Sequence, residues 1–268
     1  MKIDLHTHTT ASDGKLSPQQ LINKAVEENI DVIAITDHDT VNGLINLEEG
    51  EAEALKIIPG IEISTRQKCS IHILGYFIDI HNKELLRKIE KIEVYRMREI
   101  KQVVKNLADN IDSSISVRDI IKEENVLTMN GVADYLCKKG FSKSRQDSYD
   151  EYLQEGKCGF VQKKCMEPKK AIEVITVAGG ISVLAHPNRL KMSRNEIQEL
   201  ISELVGYGLK GIEVYCKEMD EVEWYTDICH KYNLIITGGS DFHKEEDKLG
   251  YWDENKLIPS DTYKMLCN

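Results

Sequence analysis

The sequence predicts an α/β protein: a distorted, TIM-like seven-stranded β/α barrel that carries a small, mainly helical insertion. Three observations predict it. Seven short apolar runs rich in Ile and Val recur along the chain, and such near-continuous runs belong to strands buried on both faces of a sheet. Helical patterns alternate with the runs, as they do where parallel strands close into a barrel. One stretch, 82–166, breaks the alternation with helical segments and no strand.

The chain opens on the run KIDL at 2–5. The next helix is announced by SPQQLINKAVEEN, in which Ser17 is an N-cap, Pro18 takes the first helical position and Gln20 closes a capping box. VIAIT at 32–36, KIIPGIEIS at 56–64 and IHILGYFI at 71–78 are the second, third and fourth strands. The interrupting stretch begins with a long helix whose Ile100, Val103, Val104 and Leu107 follow i, i+3, i+4, i+7 spacing and so share one face. The barrel therefore divides into a first part, 1–81, and a second, 167–268, around an insertion, 82–166, expected to fold over one end. Beyond it, ISVLA at 181–185, GIEVY at 211–215 and LIITGG at 234–239 complete the seven strands. Between the first two of these, SRNEIQELISELVGYG repeats the capping logic with Ser193 and Glu196, and Gly206 or Gly208 ends the helix. No internal repeat or low-complexity tract suggests a solenoid.

At 268 residues, with 41% hydrophobic and 30% charged residues, the chain has the composition of a globular protein. A formal net charge of −10 argues against stable binding of duplex nucleic acid, which needs a basic stripe to neutralise phosphates. It leaves room for a short nucleotide held through bound cations, because the local field matters more than the total charge. No apolar run approaches the roughly 18 residues that span a bilayer, and no charged-then-apolar leader precedes the first strand. A cytoplasmic location with no membrane association is expected. The seven cysteines are scattered without a C-x-x-C pair, so neither a disulfide framework nor a thiolate zinc site is indicated. Most of them read as small buried hydrophobes.

Six of the eight histidines lie at or just beyond strand ends. His6 and His8 follow the first strand, His38 the second, His186 the fifth and His243 the seventh, while His72 opens the fourth. Asp13, Asp37, Glu62 and Asp241 occupy the same kind of position, and only His81 and His230 fall elsewhere. In a barrel of parallel strands the C-terminal ends open onto one face, where side chains remote in sequence converge. Alternation along a strand puts His6 and His8 on one side, and Asp241 and His243 repeat that spacing. Each feature alone has an ordinary reading, since a strand-end histidine often only bonds a carbonyl. Their clustering is what a metal site explains. Imidazole nitrogens mixed with carboxylate oxygens, without thiolates, suit zinc, manganese or iron better than calcium. So many such residues exceed the needs of one ion, and two or three divalent metal ions are expected.

The segments HTHTTASDGKLSPQQLINKA, AITDHDTVNGL, IIPGIEIST, IHILGYF, GGISVLAHPNR, GIEVY and GGSDFH, in this order, resemble the PHP (polymerase and histidinol phosphatase) family over nearly the whole chain. Within the family, Asp13 in TTASDGKLSP resembles the branch of small nucleotide phosphoesterases and not the histidinol phosphatases. The resemblance implies a PHP-type distorted barrel with three metals at its C-terminal face. His6, His8, Glu62 and Asp241 would hold one ion, and Glu62, His72 and His186 a second, with Glu62 bridging. Asp13, His38 and His243 would hold the third. Asp37 and Asp4 match family positions and would orient imidazoles.

The implied activity is metal-dependent hydrolysis of phosphate esters of small nucleotides, either nucleoside 3′,5′-bisphosphates or the 5′ ends of short oligonucleotides. The attacking group would be a hydroxide bridging two ions, with no protein nucleophile needed. Arg189 in AHPNR is the candidate phosphate clamp, because a guanidinium forks onto phosphate oxygens. Lys157 in GKCGFV resembles a family segment at the end of the insertion and is the second candidate substrate contact. The chain departs from the family in the insertion. There an R-x-H-x-A-like segment is usual, and TMNGVADYL places Met129 and Gly131 where Arg and His would stand. That bears on recognition of the nucleotide or a second phosphate. The alternative enzyme is a phosphomonoesterase for a small metabolite such as histidinol phosphate. The non-enzymatic alternative is a degenerate nucleotide-sensing or scaffold module. A monomer or weak homo-oligomer is expected.

Overall fold

The computed structural model describes residues 1–45, 47, 55–67, 70–124, 127–162 and 164–267. Seven strands form one sheet in sequence order: β1 (Ile3–Thr7), β2 (Val32–Ile35), β3 (Lys56–Arg66), β4 (Ser70–Tyr76), β5 (Ile181–Leu184), β6 (Gly211–Tyr215) and β7 (Ile235–Gly238). Just past β7, the Phe242 N–H donates to the His6 carbonyl at 3.3 Å, and the His8 N–H donates to the Phe242 carbonyl at 2.9 Å. These bonds bring the last strand back to the first, so the sheet is a nearly closed barrel, as predicted.

One strand departs from the expected all-parallel arrangement. β4 runs antiparallel to both β3 and β5, while the other neighbours pair in parallel. The reason is chain length. Only residues 67–69 join β3 to β4, and a parallel return needs a crossover of a dozen or more residues. The reversal matters for the site. It turns the start of β4, where His72 stands, toward the C-terminal ends of the other strands: His72 is in register with Ser64 of β3.

The chain divides into two compact units, Met1–Ile89 with Cys165–Asn268, and Glu90–Lys164. In the first, helices α1 (Pro18–Glu27) and α2 (Asn42–Ile45) follow β1 and β2. Ser17 and Gln20 form the predicted capping box, and α1 turns Leu21, Ile22 and Ala25 into a cluster with Ile33 and Ile35 of β2. The boundary between the units falls inside α3 (Lys83–Asn110). The second unit continues with α4 (Val117–Glu124), α5 (Met129–Lys138), α6 (Arg145–Ser148) and a wide turn at Tyr149–Leu153. It has its own core: Ile100, Val103, Val104 and Leu107 of α3, each at most 3% exposed, meet Leu136 and Leu153.

The first unit resumes with α7 (Pro168–Val177), α8 (Arg194–Gly206), α9 (Val222–Tyr232), a small β8–β9 hairpin (Tyr251–Asp253, Lys256–Leu257) and α10 (Asp261–Cys267). Ser193 and Glu196 cap α8 reciprocally. Of the two candidate terminating glycines, Gly208 takes the left-handed conformation, with φ +101°. The cysteines depart from expectation. Among the six described, only Cys216 and Cys229 are buried. Cys158 lies in an exposed turn and Cys267 at the exposed end of α10, while Cys69 lies outside the described residues. No helix among the described residues is long and apolar enough to cross a membrane.

Candidate metal centre

The first strand delivers His6 and His8 by simple alternation, and both are fully buried. They meet groups from β3, β6 and the turn after β7, so they point into the barrel. A close approach makes this possible. A Cβ at Gly239 would lie 2.2 Å from the His6 Cβ, so only glycine lets the end of β7 pass β1 here.

Glu62 is the hub. Its Oε2 lies 3.3 Å from His6 Nε2, 3.3 Å from His8 Nε2 and 3.0 Å from His38 Nδ1. Its Oε1 lies 2.9 Å from both His72 Nδ1 and His186 Nε2. Successive imidazole centroids in the circuit His6, His8, His38, His72, His186 and back to His6 are 4.7–5.7 Å apart. His243 stacks on His8 at 4.3 Å. Asp241 Oδ1 stands 3.3 Å from His8 Nε2 and 3.5 Å from His6 Nε2. Asp13 Oδ1 stands 3.5 Å from His243 Nε2 and 3.7 Å from His8 Nδ1. The nine residues to which the family resemblance gives ligand roles therefore come together.

Their donor atoms fall into four overlapping groups, each with its atoms within 4.8 Å of one another. These are His8, Asp13, His38 and His243; His6, His8 and Asp241; His6, Glu62 and His186; and His38, Glu62 and His72. The chemistry of the set fits divalent ions. His6 Nε2, both ring nitrogens of His8, His38 Nδ1 and Glu62 Oε2 are buried without a hydrogen-bond partner among the described residues. Leaving such atoms unpaired is costly, and a cation is the partner that suits them all.

The electrostatics agree. Burial alone would lower the His8 value, but the Asp241 and Glu62 carboxylates, each 3.3 Å from its Nε2, push it up to about 10. His6 is likewise driven well above the usual imidazole range, because Glu213, Glu62 and Asp241 outweigh its burial. Burial would raise Glu62, yet His38, His6 and His72 hold it well below the usual carboxylate range. Asp241 is held low by His6 and His8 against the same burial penalty. At His38 burial prevails over the pull of Glu62 and brings the value down to about 3, leaving a neutral nitrogen donor. The centre thus demands positive charge, which protons on His6 and His8 supply when no ion does.

Two backbone features frame the site. His186 (φ +25°) and Asp241 (φ +53°) both hold positive φ, a costly conformation for a non-glycine residue that clusters at functional sites. Arg189, in the short turn after His186, donates from Nη1 to Asp241 Oδ2 at 2.6 Å while its side chain stays 43% exposed. Lys157 belongs to the helical unit and is exposed, in a turn where its N–H donates to the Gln154 carbonyl at 3.1 Å. In the same unit, Met129 opens α5 and Gly131 donates its N–H to the Thr128 cap at 2.9 Å.

Among the described residues the hydrogen bonds of Asp37 and Asp4 go to hydroxyls and backbone N–H groups, not to the imidazoles they were expected to orient. Asp37 accepts from the Thr9 N–H (2.7 Å), the Thr9 hydroxyl (2.8 Å) and the Ser12 hydroxyl (2.6 Å), which shapes the loop carrying Asp13. Asp4 accepts backbone N–H bonds from His6, Ser240 and Gly250, tying β1 to the turn after β7. Burial pushes Asp4 up to about 6 in spite of these bonds. The carboxylate that does hold an imidazole, Glu213, is absent from the sequence-based set. It sits mid-strand in GIEVY and is fully buried; in the sequence it is only a glutamate inside an apolar run, which does not tell a buried carboxylate from one at an edge.

The PHP domain profile matches residues 4–236. The chain is 32% identical over 248 residues to the 5′-3′ exoribonuclease Rnm of Escherichia coli, covering 90% of this chain and 85% of that one. It is 31% identical over 252 residues to a 3′,5′-nucleoside bisphosphate phosphatase of Chromobacterium violaceum, covering 90% and 87%. Among solved structures, a proposed metal-dependent phosphoesterase from Bifidobacterium adolescentis superposes with a TM-score of 0.84 at 25% identity, covering 98% of this chain and 94% of that one.

Proposed function

The chain belongs to the PHP domain family and is a phosphate-ester hydrolase, and from that premise we propose that it cleaves nucleoside 3′,5′-bisphosphates or the 5′ ends of short oligonucleotides with two or three bound Mn, Zn or Fe ions. The observation that carries this reading is Glu62 at the centre of five imidazoles, with buried donor atoms left unpaired around it. Relatives at 31–32% identity named for nucleotide and RNA hydrolysis support the substrate class.

In this reading His6, His8, Glu62 and Asp241 hold one ion, Glu62, His72 and His186 a second, and Asp13, His38 and His243 the third. When bound, such ions lower the pKa of water and polarise phosphate oxygens. The protein's own contribution is placement. Asp37 and Asp4 fix the backbone of the loops that carry the donors, and full burial keeps His6, His8 and Glu62 from hydrogen-bonding to solvent. The half-exposed Arg189 guanidinium offers its remaining nitrogens to an anionic group at the rim.

The test is a substrate panel with metal content measured in parallel: adenosine 3′,5′-bisphosphate, a 5′-phosphorylated oligoribonucleotide and histidinol phosphate, each with Mn²⁺ and with Zn²⁺. Turnover of the first two with little of the third is expected. Preference for histidinol phosphate would overturn the nucleotide reading, and no turnover of any would overturn the enzymatic one.

A further inference from the structure

We propose that Glu213 is a positioning residue that aims two of the candidate ligands, His6 and His186, and that its influence stops short of the Asp13 group. This rests on the metal-centre reading above. Glu213 is fully buried on β6 and belongs to none of the donor groups found among the described residues. A buried carboxylate is expensive unless its oxygens are engaged, and both are. Oε1 lies 2.9 Å from His6 Nδ1, and Oε2 accepts the His186 backbone N–H at 2.8 Å.

Each bond has a specific consequence. A carboxylate can only accept, so His6 Nδ1 carries the proton toward it, and Nε2 is the atom turned to Glu62 and Asp241. The second bond pins the turn at His186, whose left-handed backbone (φ +25°, ψ 62°) brings its Nε2 to 2.9 Å from Glu62 Oε1. One carboxylate thereby sets the aim of donors from β1 and from the end of β5. It makes no contact of this kind with His8, Asp13, His38 or His243.

Glu213→Gln keeps the shape but has a single acceptor oxygen, so it can satisfy only one of the two donors. The expected result is metal affinity about ten- to a hundredfold weaker for the ions held by His6 and His186, with the ion of the Asp13 group retained. Elemental analysis after dialysis against graded chelator reads this as a drop in metal-to-protein ratio, and Asp13→Ala serves as the complementary control. In ¹⁵N-histidine-labelled protein, a downfield, slowly exchanging Nδ1–H of His6, identified by its loss in His6→Ala, is expected in the wild type and not in Glu213→Gln. Wild-type stoichiometry and affinity within twofold in Glu213→Gln would overturn the proposal. So would an unchanged His6 Nδ1–H resonance. If the variant does not fold, zinc bound through His6 Nδ1 in the wild type decides against it. A wild type that binds no metal would sink the metal-centre reading instead, and the resonance of the metal-free protein would still judge Glu213.

Discussion

Glu62 touches five imidazoles at 2.9–3.3 Å, and no other carboxylate of the site touches as many. Glu62→Gln keeps its size and removes its charge. It is expected to lower kcat/KM by more than about a hundredfold, the scale on which metal sites respond even to loss of residues that support their ligands. Steady-state kinetics with metal analysis checks this. Arg189→Ala removes one charge-assisted bond to the substrate, worth roughly 1.5–3 kcal/mol, and is expected to cost about ten- to a hundredfold in kcat/KM, with Arg189→Lys recovering only part. The His8 value of about 10 sets a sign for pH. Below that value the ion must displace a proton, so affinity should rise as pH rises from 6 to 8, about tenfold per unit for each proton released. Competition with a chelator at several pH values measures it, and a flat profile would contradict it. In the ion-free protein the same raised value stabilises the fold fully below 6.5 and ceases to as pH rises through about 10. At this scale the sequence was readable where chemistry clusters: histidines at strand ends point to one face. It was not readable at Glu213, because nothing in GIEVY tells a buried supporting carboxylate from an edge residue until β6 and β1 are seen across the barrel.

The strands and their caps were legible for physical reasons. Ser17 with Gln20 and Ser193 with Glu196 satisfy orphan helix N–H groups locally, so neighbouring residues alone specify them. Strand direction was less legible. A buried antiparallel strand shows the same apolar run as a parallel one, and the short 67–69 link was the only local cue to the reversal of β4. That reversal is what allows His72, at the start of a strand, to reach Glu62. Two substitutions separate the elements from the site. Ser17→Ala should cost about 1 kcal/mol and a few degrees of Tm while leaving hydrolysis unchanged. Gly239→Ala places a Cβ 2.2 Å from the His6 Cβ. It should cost about 1–3 kcal/mol by overpacking and also weaken metal retention, because relief of the clash moves His6. Thermal melts and metal content on both variants distinguish the two effects.

Across the whole molecule, residues from 6 to 243 meet around one carboxylate because a nearly closed sheet brings seven strand ends together. The net charge of −10 and the demand for cations at the centre are compatible, since the site's acids are buried and answered locally. The helical unit has its own core, and Met129 and Gly131, at the positions where the family resemblance led us to expect Arg and His, sit in its helix α5. Substrate choice is therefore the property least legible in the sequence, whereas the metal-binding face follows from the barrel. The central claim is that hydrolysis depends on ions held by this cluster. The direct measurement strips the protein with chelator, verifies its metal content, and assays adenosine 3′,5′-bisphosphate before and after Mn²⁺ or Zn²⁺ is restored. The account predicts activity lost with the metal and regained in proportion to the ions rebound; full turnover by protein shown to hold no metal would contradict it.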